Sequence, residues 1–579
     1  MINLFHHQEN FQSDLMTPAK FYFSETSIHQ ELLNFIPADA KVILELGCGN
    51  GTIASQYKQI NPHCHYIGIE SNPELAKNAA AQVDRILVGN ILENISALNI
   101  SPKTVDCLIY GLNLMAIANP TEILKYCQSW LKNDAQVLAI IANVQYWRRI
   151  INLLKGNWEI SEVIRHWFSL EGLKSCFATA DLQIYEVQTR GEKGEEFEKF
   201  LQFTQPLVDA LGLDGKKFAT QTAAEYFIVR ATNSTIFPRR LLIQTIIMDP
   251  KVCGTLRVWE PDRFSATIPG VRTISTVKTA DLNVGLSEEE KVFIWQRTIL
   301  NYPSDFYKIK SLLKKNYLIV AEIDDHPLRR PEYAENNYLS YRGCHCVQTS
   351  TESLAKFLRQ YNSNVVVFQN QLAKIPTLSE HTFSHNNYPS IFFGAVNREA
   401  NWKEIMPIIN QILSDYQDKI RVKVIHDKLF FESLNTTNKE FYPFCAYDKY
   451  LEILRSCDIG LLPLNENQTN QMKSDLKFVE CAGYGVAVLA SPTVYQNSIV
   501  DGETGLIYYS LSDFARKFRQ LIIDRDLRQK IVINAYFWVK NNRLFCQYYR
   551  QRRDWYLQMR DELPCLNKEL KNRVPELFD

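Results

Sequence analysis

No stretch of about 18 apolar residues free of charge, the signature of a membrane-crossing helix, occurs in this chain. The nearest candidate, Val137 to Val144, is strand-length and bounded by polar residues. The start of the sequence, Met1 to Gln12, is polar and carries His6 and His7 instead of a basic region followed by an apolar run, so no secretory leader is expected. Charge of one sign is also missing: Lys plus Arg and Asp plus Glu both number 64, which removes the electrostatic case for nucleic acid as a bulk partner. The 13 cysteines show no paired CxxC spacing, and Cys344 and Cys346 stand too close together for a zinc finger. They read as reduced, buried thiols, the ordinary state of free cysteine. No repeat recurs at a fixed period. No Asp-x-Asp motif stands at a strand end, and the adjacent pair Asp324 and Asp325 is a poor substitute, so no metal is expected.

What is present is a long globular composition, 46% hydrophobic and 22% charged over 579 residues. Single cores stop growing at roughly 250 to 300 residues, so the chain should divide into two to four domains. Short apolar runs alternate with amphipathic helical stretches nearly throughout, which predicts an α/β fold with parallel sheets. The first block has strand candidates at Lys41–Leu46, His65–Ile69, Arg85–Val88, Val105–Tyr110 and Gln136–Ala142. It closes with two more, Leu182–Gln188 and Ala224–Ala231, around a charged helical insertion at Gly194–Leu211. The polar, Pro-containing junction Asn233–Pro238 and the polar stretch Ser379–Asn387 mark two restarts. The expected domains are therefore 1–236, 237–388 and 389–579.

The sharpest motif is Glu45-Leu-Gly-Cys-Gly-Asn-Gly51 after the apolar run Val42–Leu44. Gly47, Gly49 and Gly51 permit a tight turn and let a ligand lie on bare backbone at a helix start. Glu70 ends the next strand, where a carboxylate takes both hydroxyls of a ribose. This block resembles the class I S-adenosylmethionine-dependent methyltransferases, including their closing antiparallel strand pair. The resemblance implies that Glu45, Gly47, Gly49 and Gly51 frame the methionine part of S-adenosyl-L-methionine, Glu70 its ribose and Asn90 its adenine. The run Asn119-Pro120, Ala142-Asn143-Val144 and Trp167 to Leu173 is similar to a subgroup often found with polysaccharide genes. Where that subgroup carries a Glu-His pair this chain has Met115-Ala116, and Ile164 replaces a histidine, leaving His166 as the candidate base. Cofactor binding is better supported there than catalysis.

In the second block, Glu322-Ile-Asp-Asp-His-Pro327 gathers polar groups at a strand end, and Asp324, Asp325 and His326 are candidates to orient or deprotonate an acceptor hydroxyl. Their alternative is a strand-end turn with Asp capping a helix. In the third, Met472 to Glu480 at helical spacing puts Lys473, Lys477 and Glu480 on one face, two ammonium groups for a diphosphate and a carboxylate for ribose hydroxyls. The following Gly-Val-Ala-Val-Leu-Ala-Ser491 and Asp501-Gly-Glu-Thr-Gly-Leu506 resemble the nucleotide-sugar lobe of GT-B-fold glycosyltransferases. That resemblance covers about 237–563. It implies Glu480 at the donor ribose, Lys473, Lys477 and Arg398 at its phosphates, and Tyr447 and Tyr450 near its base. The second acid common in the family falls on Met472.

The stretch Tyr536–Tyr556, with Arg550, Arg552, Arg553 and Arg560, reads as one amphipathic C-terminal helix. It would cross back onto the first lobe as in GT-B proteins, or alternatively offer a basic aromatic face to an anionic lipid-linked acceptor at a membrane surface. The expected whole is a Rossmann-like methyltransferase domain followed by a two-lobed glycosyltransferase. It would move a sugar from a nucleoside diphosphate donor to a glycan or lipid-linked glycan hydroxyl in the cytoplasm, and no nucleic acid is expected. The rival is a glycosyltransferase whose first domain binds cofactor as a scaffold without reacting.

Overall fold

The computed structural model describes residues 25–89, 99–157, 165–378, 388–396, 398–417 and 419–578. Asn90, Ile164 and the junction 379–387 lie outside them. The chain divides into two compact units, the first ending at Ile236 and the second starting at Phe237, with 59–62 grouped with the second.

The first unit is built on one sheet of seven strands: β1 (Val42–Leu46), β2 (His65–Glu70), β3 (Arg85–Val88), β4 (Val105–Tyr110), β5 (Leu131–Ala142), β6 (Gln183–Arg190) and β7 (Tyr226–Thr232). Their order is β3-β2-β1-β4-β5-β7-β6. β7 runs antiparallel to both β5 and β6, while the others pair in parallel. Parallel strands are apolar on both faces because helices cover both. β1 shows this: Leu44 and Leu46 enter one core with Phe227 and Val229, and Ile43 enters the other with Tyr66 and Ile228. The charged insertion between β6 and β7 is two helices, Glu195–Ala210 and Gly215–Ala223. Phe197 and Phe200 of the first pack with Tyr146 and Trp147.

The second unit holds two parallel sheets. Its first lobe has β8 (Arg240–Ile247), β9 (Val271–Thr276), β10 (Glu289–Gln296), β11 (Leu318–Glu322), β12 (Cys346–Thr349) and β13 (Val365–Val367), ordered β13-β12-β11-β10-β8-β9. Its second lobe has β14 (Ile391–Gly394), β15 (Val422–Ile425), β16 (Lys439–Tyr442), β17 (Ile459–Leu462), β18 (Ala487–Ala490) and β19 (Leu506–Ile507), ordered β16-β15-β14-β17-β18-β19. The α/β expectation holds in all three sheets. The strands β9, β16 and β19 were not expected: their runs are short or polar and lack a clear apolar signal.

The single C-terminal helix is corrected to two, Arg525–Asn542 and Tyr549–Asp561, followed by Leu563–Arg573. The break lies at Arg543, which leaves the helix to form a bidentate pair with Asp475 at 2.6 and 2.8 Å and to donate to the Asn370 carbonyl at 2.8 Å. The backbone then bonds Leu372 on both sides. Ile531 and Val532 pack in the second-lobe core, whereas Leu570, Val574 and Leu577 pack in that of the first lobe. The basic aromatic face is turned onto protein: Arg552 stacks over Phe368 at 4.9 Å, Tyr556 donates to Gln348 at 2.6 Å, and Arg560 pairs with Glu290 at 2.7 Å.

A five-residue π-helix, Thr255–Trp259, interrupts the helical segment after β8. Its Arg257 is buried and donates to Glu322 at 2.7 Å, to the Phe368 carbonyl at 2.7 Å and to Asn370 Oδ1 at 3.0 Å. Removing one partner of such a pair strands a buried charge, which typically costs about 3–5 kcal/mol. Arg257→Met should therefore strip hydrogen-exchange protection from β10 and β11 while β1 and β4 keep theirs. Adding Glu322→Gln should restore part of the loss. Full protection in the single variant, measured by peptide-resolved exchange on the whole chain, would mean that the pair does not hold the lobe.

Candidate functional sites

The glycine turn sits at the carboxyl end of β1. Gly47, Gly49 and Gly51 have φ of +79°, +56° and +79°, the left-handed region where side chains are strained. A Cβ on Gly51 would come 2.9 Å from Gln82, so Gly51 serves close packing. One on Gly49 would meet nothing within 4 Å. Gly49 thus faces open space, as a backbone cradle requires, and its N–H donates to Glu70 Oε2 at 2.8 Å. The Glu70 Oε1 accepts from the Asn72 N–H at 2.9 Å. The Ser71 hydroxyl also donates to Oε1, at 3.4 Å, which leaves one further lone pair, on Oε2, for a hydroxyl donor. The residues fit the expected cofactor at the turn and the acid, and Asn90 is outside the described residues.

Glu45 points to the opposite face from Leu44 and Leu46. It is 3% exposed and its Oε2 accepts from Tyr66 at 2.7 Å. Burial pushes its carboxyl up to about 7, partly offset by the Tyr66 hydroxyl and reinforced by Glu70. The acid is a buried prop of the turn, not an open ligand.

Beyond β4, Gly111 lies beside the turn, since a Cβ there would come 4.0 Å from the Gly47 carbonyl. The 3-10 helix Leu112–Met115 follows. Met115 is buried, and its carbonyl accepts the backbone N–H of Arg165 at 2.8 Å and of His166 at 3.0 Å. The His166 Nε2 lies 2.8 Å from the Ala118 carbonyl. A carbonyl only accepts, so Nε2 carries hydrogen and, in the neutral ring, Nδ1 is the proton acceptor.

In the second unit the expected donor residues form two groups instead of one. Lys473 is not on the helix face: the helix begins at Leu476, and Asp475 before it is held by Arg543. Lys473 instead reaches Asp325 of the first lobe at 3.6 Å. Asp325 also pairs with Arg329 at 2.8 Å. Burial depresses Lys473 to about 8, with Arg398 and Arg329 adding to the depression and Asp325 opposing it. Burial likewise lowers Arg398, with Arg329 acting in the same direction. Three cations therefore converge on one carboxylate. Arg329 was not foreseen, although it stands four residues after Asp325, at helical reach.

The second group is Lys477, Glu480, Tyr447 and Tyr450. Glu480 is 1% exposed. Its Oε1 accepts from Tyr447 at 3.0 Å, and its Oε2 accepts from Tyr450 at 2.8 Å and Lys477 at 3.3 Å. The Lys477 ammonium lies 4.1 Å over the Tyr450 ring and donates to its hydroxyl at 2.8 Å. The expected ribose acid Glu480 and phosphate lysine Lys477 thus form an internally paired cluster in this structure. Met472, where a second acid was sought, packs in the first-lobe core.

The expected Asp-Asp-His constellation also separates. Asp324 pairs with Arg297 at 2.6 Å. Burial would raise the Asp325 carboxyl, but Lys473, Arg329 and Arg297 hold it below its ordinary value, which makes it a weak base. The His326 Nδ1 accepts the Leu328 N–H at 2.9 Å, capping the 3-10 helix Pro327–Arg329. Burial depresses its pKa further. With Nδ1 so engaged, Nε2 of the neutral ring carries the hydrogen and has no partner among the described residues, an arrangement that offers no free lone pair for the base expected from sequence.

Residues 37–190 match a family model described as a methyltransferase domain, and residues 408–553 match one described as glycosyl transferase-like. The chain joins a methyltransferase domain to a glycosyl transferase-like domain. No curated protein matches it. Similar solved structures include TarM, known from S. aureus, at 12% identity over 46% of this chain and 54% of that one, TM-score 0.37. HepE of Anabaena, solved with UDP and glucose, shares 12% identity over 56% of this chain and all of that one, TM-score 0.41. A SAM-dependent methyltransferase from Archaeoglobus fulgidus shares 14% over 36% and 94%, TM-score 0.29. The chain spans about half the length of TarM.

The raised Glu45 carboxyl has a consequence for stability. Below its ordinary value of 4.5 it is protonated folded or unfolded; between 4.5 and about 7 only the unfolded chain releases the proton. The native state therefore loses stability as pH rises through that window, by about 3 kcal/mol in full. Glu45→Gln should be more stable than wild type at pH 8, with the gap closing by pH 4.5. A gap independent of pH in thermal melts would show that Glu45 is not held protonated.

Proposed function

We propose that the chain is a transferase that moves a sugar from a nucleoside diphosphate donor to a hydroxyl of a glycan or lipid-linked glycan, with a first domain that binds S-adenosyl-L-methionine. The setting is surface polysaccharide synthesis in the cytoplasm, where the acceptor can bring the enzyme to the inner face of the membrane. The observation carrying this reading is the convergence of Lys473, Arg398 and Arg329 around the single carboxylate Asp325. Like charges held together in a partly buried place repel unless an anion joins them. Breaking the bond between the sugar and the diphosphate leaves negative charge on the departing oxygen, and cations fixed at that point stabilise it.

In the first domain, the open face of Gly49 and the remaining Oε2 lone pair of Glu70 would hold the cofactor. Bound there, S-adenosylmethionine supplies an electrophilic methyl group. His166, held by the Ala118 carbonyl with Nδ1 available as acceptor, would take the proton of the attacking oxygen or nitrogen. The scaffold reading is favoured by one observation: Met115 is sealed in the core, where the resemblance would place an acid.

Calorimetric titration of the full chain separates the two sites. Gly49→Arg should abolish heat from S-adenosylmethionine and leave nucleoside diphosphate binding unchanged. Lys473→Ala should do the reverse, weakening binding of UDP, GDP, ADP or dTDP and of inorganic pyrophosphate roughly ten- to a hundredfold. No nucleotide or pyrophosphate binding by wild type would remove the donor site. Methyl transfer to a glycan that survives His166→Ala undiminished would remove the proposed base.

A further inference from the structure

The second unit contains a carboxyl group for which the donor site described above has given no role. Glu260 stands where the π-helix Thr255–Trp259 gives way to the α-helix Glu260–Ala266. π-turns of this kind recur at functional sites because they re-aim the side chains that follow. The π-helix is fixed from below by Arg257 and its bonds to Glu322, Phe368 and Asn370. Among the described residues, the Glu260 Oε2 is shielded from solvent and has no hydrogen-bond partner. Burying a carboxylate oxygen unpaired is costly, and such groups are ordinarily satisfied by protein, by water or by a ligand.

The charged groups near it come from its own helix, from the connection between lobes and from the other lobe. Burial raises the Glu260 carboxyl to about 7; Arg263 and Lys374 oppose the rise, and Asp448 and Glu480 add to it. Tyr447 and Tyr484 feel its charge in turn. Glu260 therefore faces the cluster of Tyr447 and Glu480 from the first lobe. Glu480 has its oxygens engaged by two tyrosines and a lysine, as given above, and Met472 carries no acid. Of these acids, Glu260 is the one with a buried oxygen that has no partner among the described residues.

We propose that Glu260 is the carboxyl that recognises the nucleoside half of the donor, accepting a hydrogen bond from a base N–H or a ribose hydroxyl between the lobes. This rests on the donor reading of the second unit and assigns its nucleoside end. The phosphate end stays with Lys473, Arg398 and Arg329. Glu260 is a specificity-determining residue in this scheme and takes no part in bond breaking.

The test uses the full chain and calorimetric titration with UDP, GDP, ADP and dTDP, each beside inorganic pyrophosphate, which has no nucleoside. For whichever nucleotide wild type binds, Glu260→Gln should weaken affinity about tenfold or more and leave pyrophosphate affinity unchanged. The glutamine is isosteric and uncharged, so the nucleotide-free variant should melt no lower than wild type. A folded variant that loses nucleotide affinity alone has lost recognition, not structure. The 2′-deoxy and 3′-deoxy forms of the same nucleotide identify the contact. If a hydroxyl is bound, one of them is weakened in wild type and indifferent to Glu260→Gln. If a base N–H is bound, both deoxy forms stay as sensitive as the parent. Nucleotide binding unchanged in Glu260→Gln but lost, together with pyrophosphate, in Lys473→Ala would overturn this assignment and leave the donor site standing. Failure of wild type to bind any of the nucleotides would overturn both.

Discussion

The second unit depends on a buried polar chain that runs through Asn370. From β11, Glu322 holds Arg257, and Arg257 donates to the Asn370 side chain. The Asn370 amide donates to Ser474 at 2.8 Å, and its carbonyl accepts from Arg543, which in turn clasps Asp475. One asparagine in the segment after β13 thereby touches the π-helix, the turn before the Glu480 helix and the point where the C-terminal helix breaks. Arg257, Glu322, Asn370 and Arg543 are buried, so these bonds are stronger than surface pairs and their loss is more damaging. Lys473 lies just before Ser474 and Asp475, and Glu260 just after the π-turn. The side chains that give the unit its chemistry are therefore set by groups that do no chemistry themselves.

That dependence explains what could be read from the sequence and what could not. The glycine turn was legible because its geometry is local: three glycines, all at positive φ, follow a strand and precede a helix. The parallel sheets were legible because two-sided burial leaves unbroken apolar runs. Lys473 was misplaced because helical spacing was extended back through Asp475, and the event that ends that helix, the Arg543 clasp, comes from 68 residues away. The engagement of Glu480 was hidden for the same reason, since Tyr447 and Tyr450 arrive from a different helix. His326 and its two aspartates looked alike in one dimension, but a strand end splays successive side chains toward Arg297, Lys473 and the backbone of Leu328.

The two units meet a similar problem in related ways. In each, a glutamate near the glycine-containing segment is buried and met by tyrosine hydroxyls: Glu45 by Tyr66, and Glu480 by Tyr447 and Tyr450. A hydroxyl supplies a directed hydrogen bond without bringing a full charge into the interior. At Glu480, Lys477 adds a cation at 3.3 Å. At Glu45, burial with a hydroxyl as partner leaves the carboxyl raised to about 7.

The charges of the second unit are sorted by position. Arg329, Arg398 and Lys473 gather around Asp325, while at the other group Asp448 and Glu480 act on Glu260 against Arg263 and Lys374, and Lys477 sits on Glu480. Tyr495 lies between, feeling both Arg398 and Glu480. The first group thus has cations in excess, whereas the second interleaves carboxyls with cations. A nucleoside diphosphate has the complementary polarity, with acceptor oxygens on the phosphates and N–H and O–H donors on base and ribose. In the proposed donor site, recognition at the second group turns on the number and direction of donors, and at the first on charge. A substitution at Lys473 therefore acts on all phosphate-bearing ligands alike, whereas one at Glu260 discriminates among them, and the contrast between the two separates anion capture from nucleotide reading in a single protein.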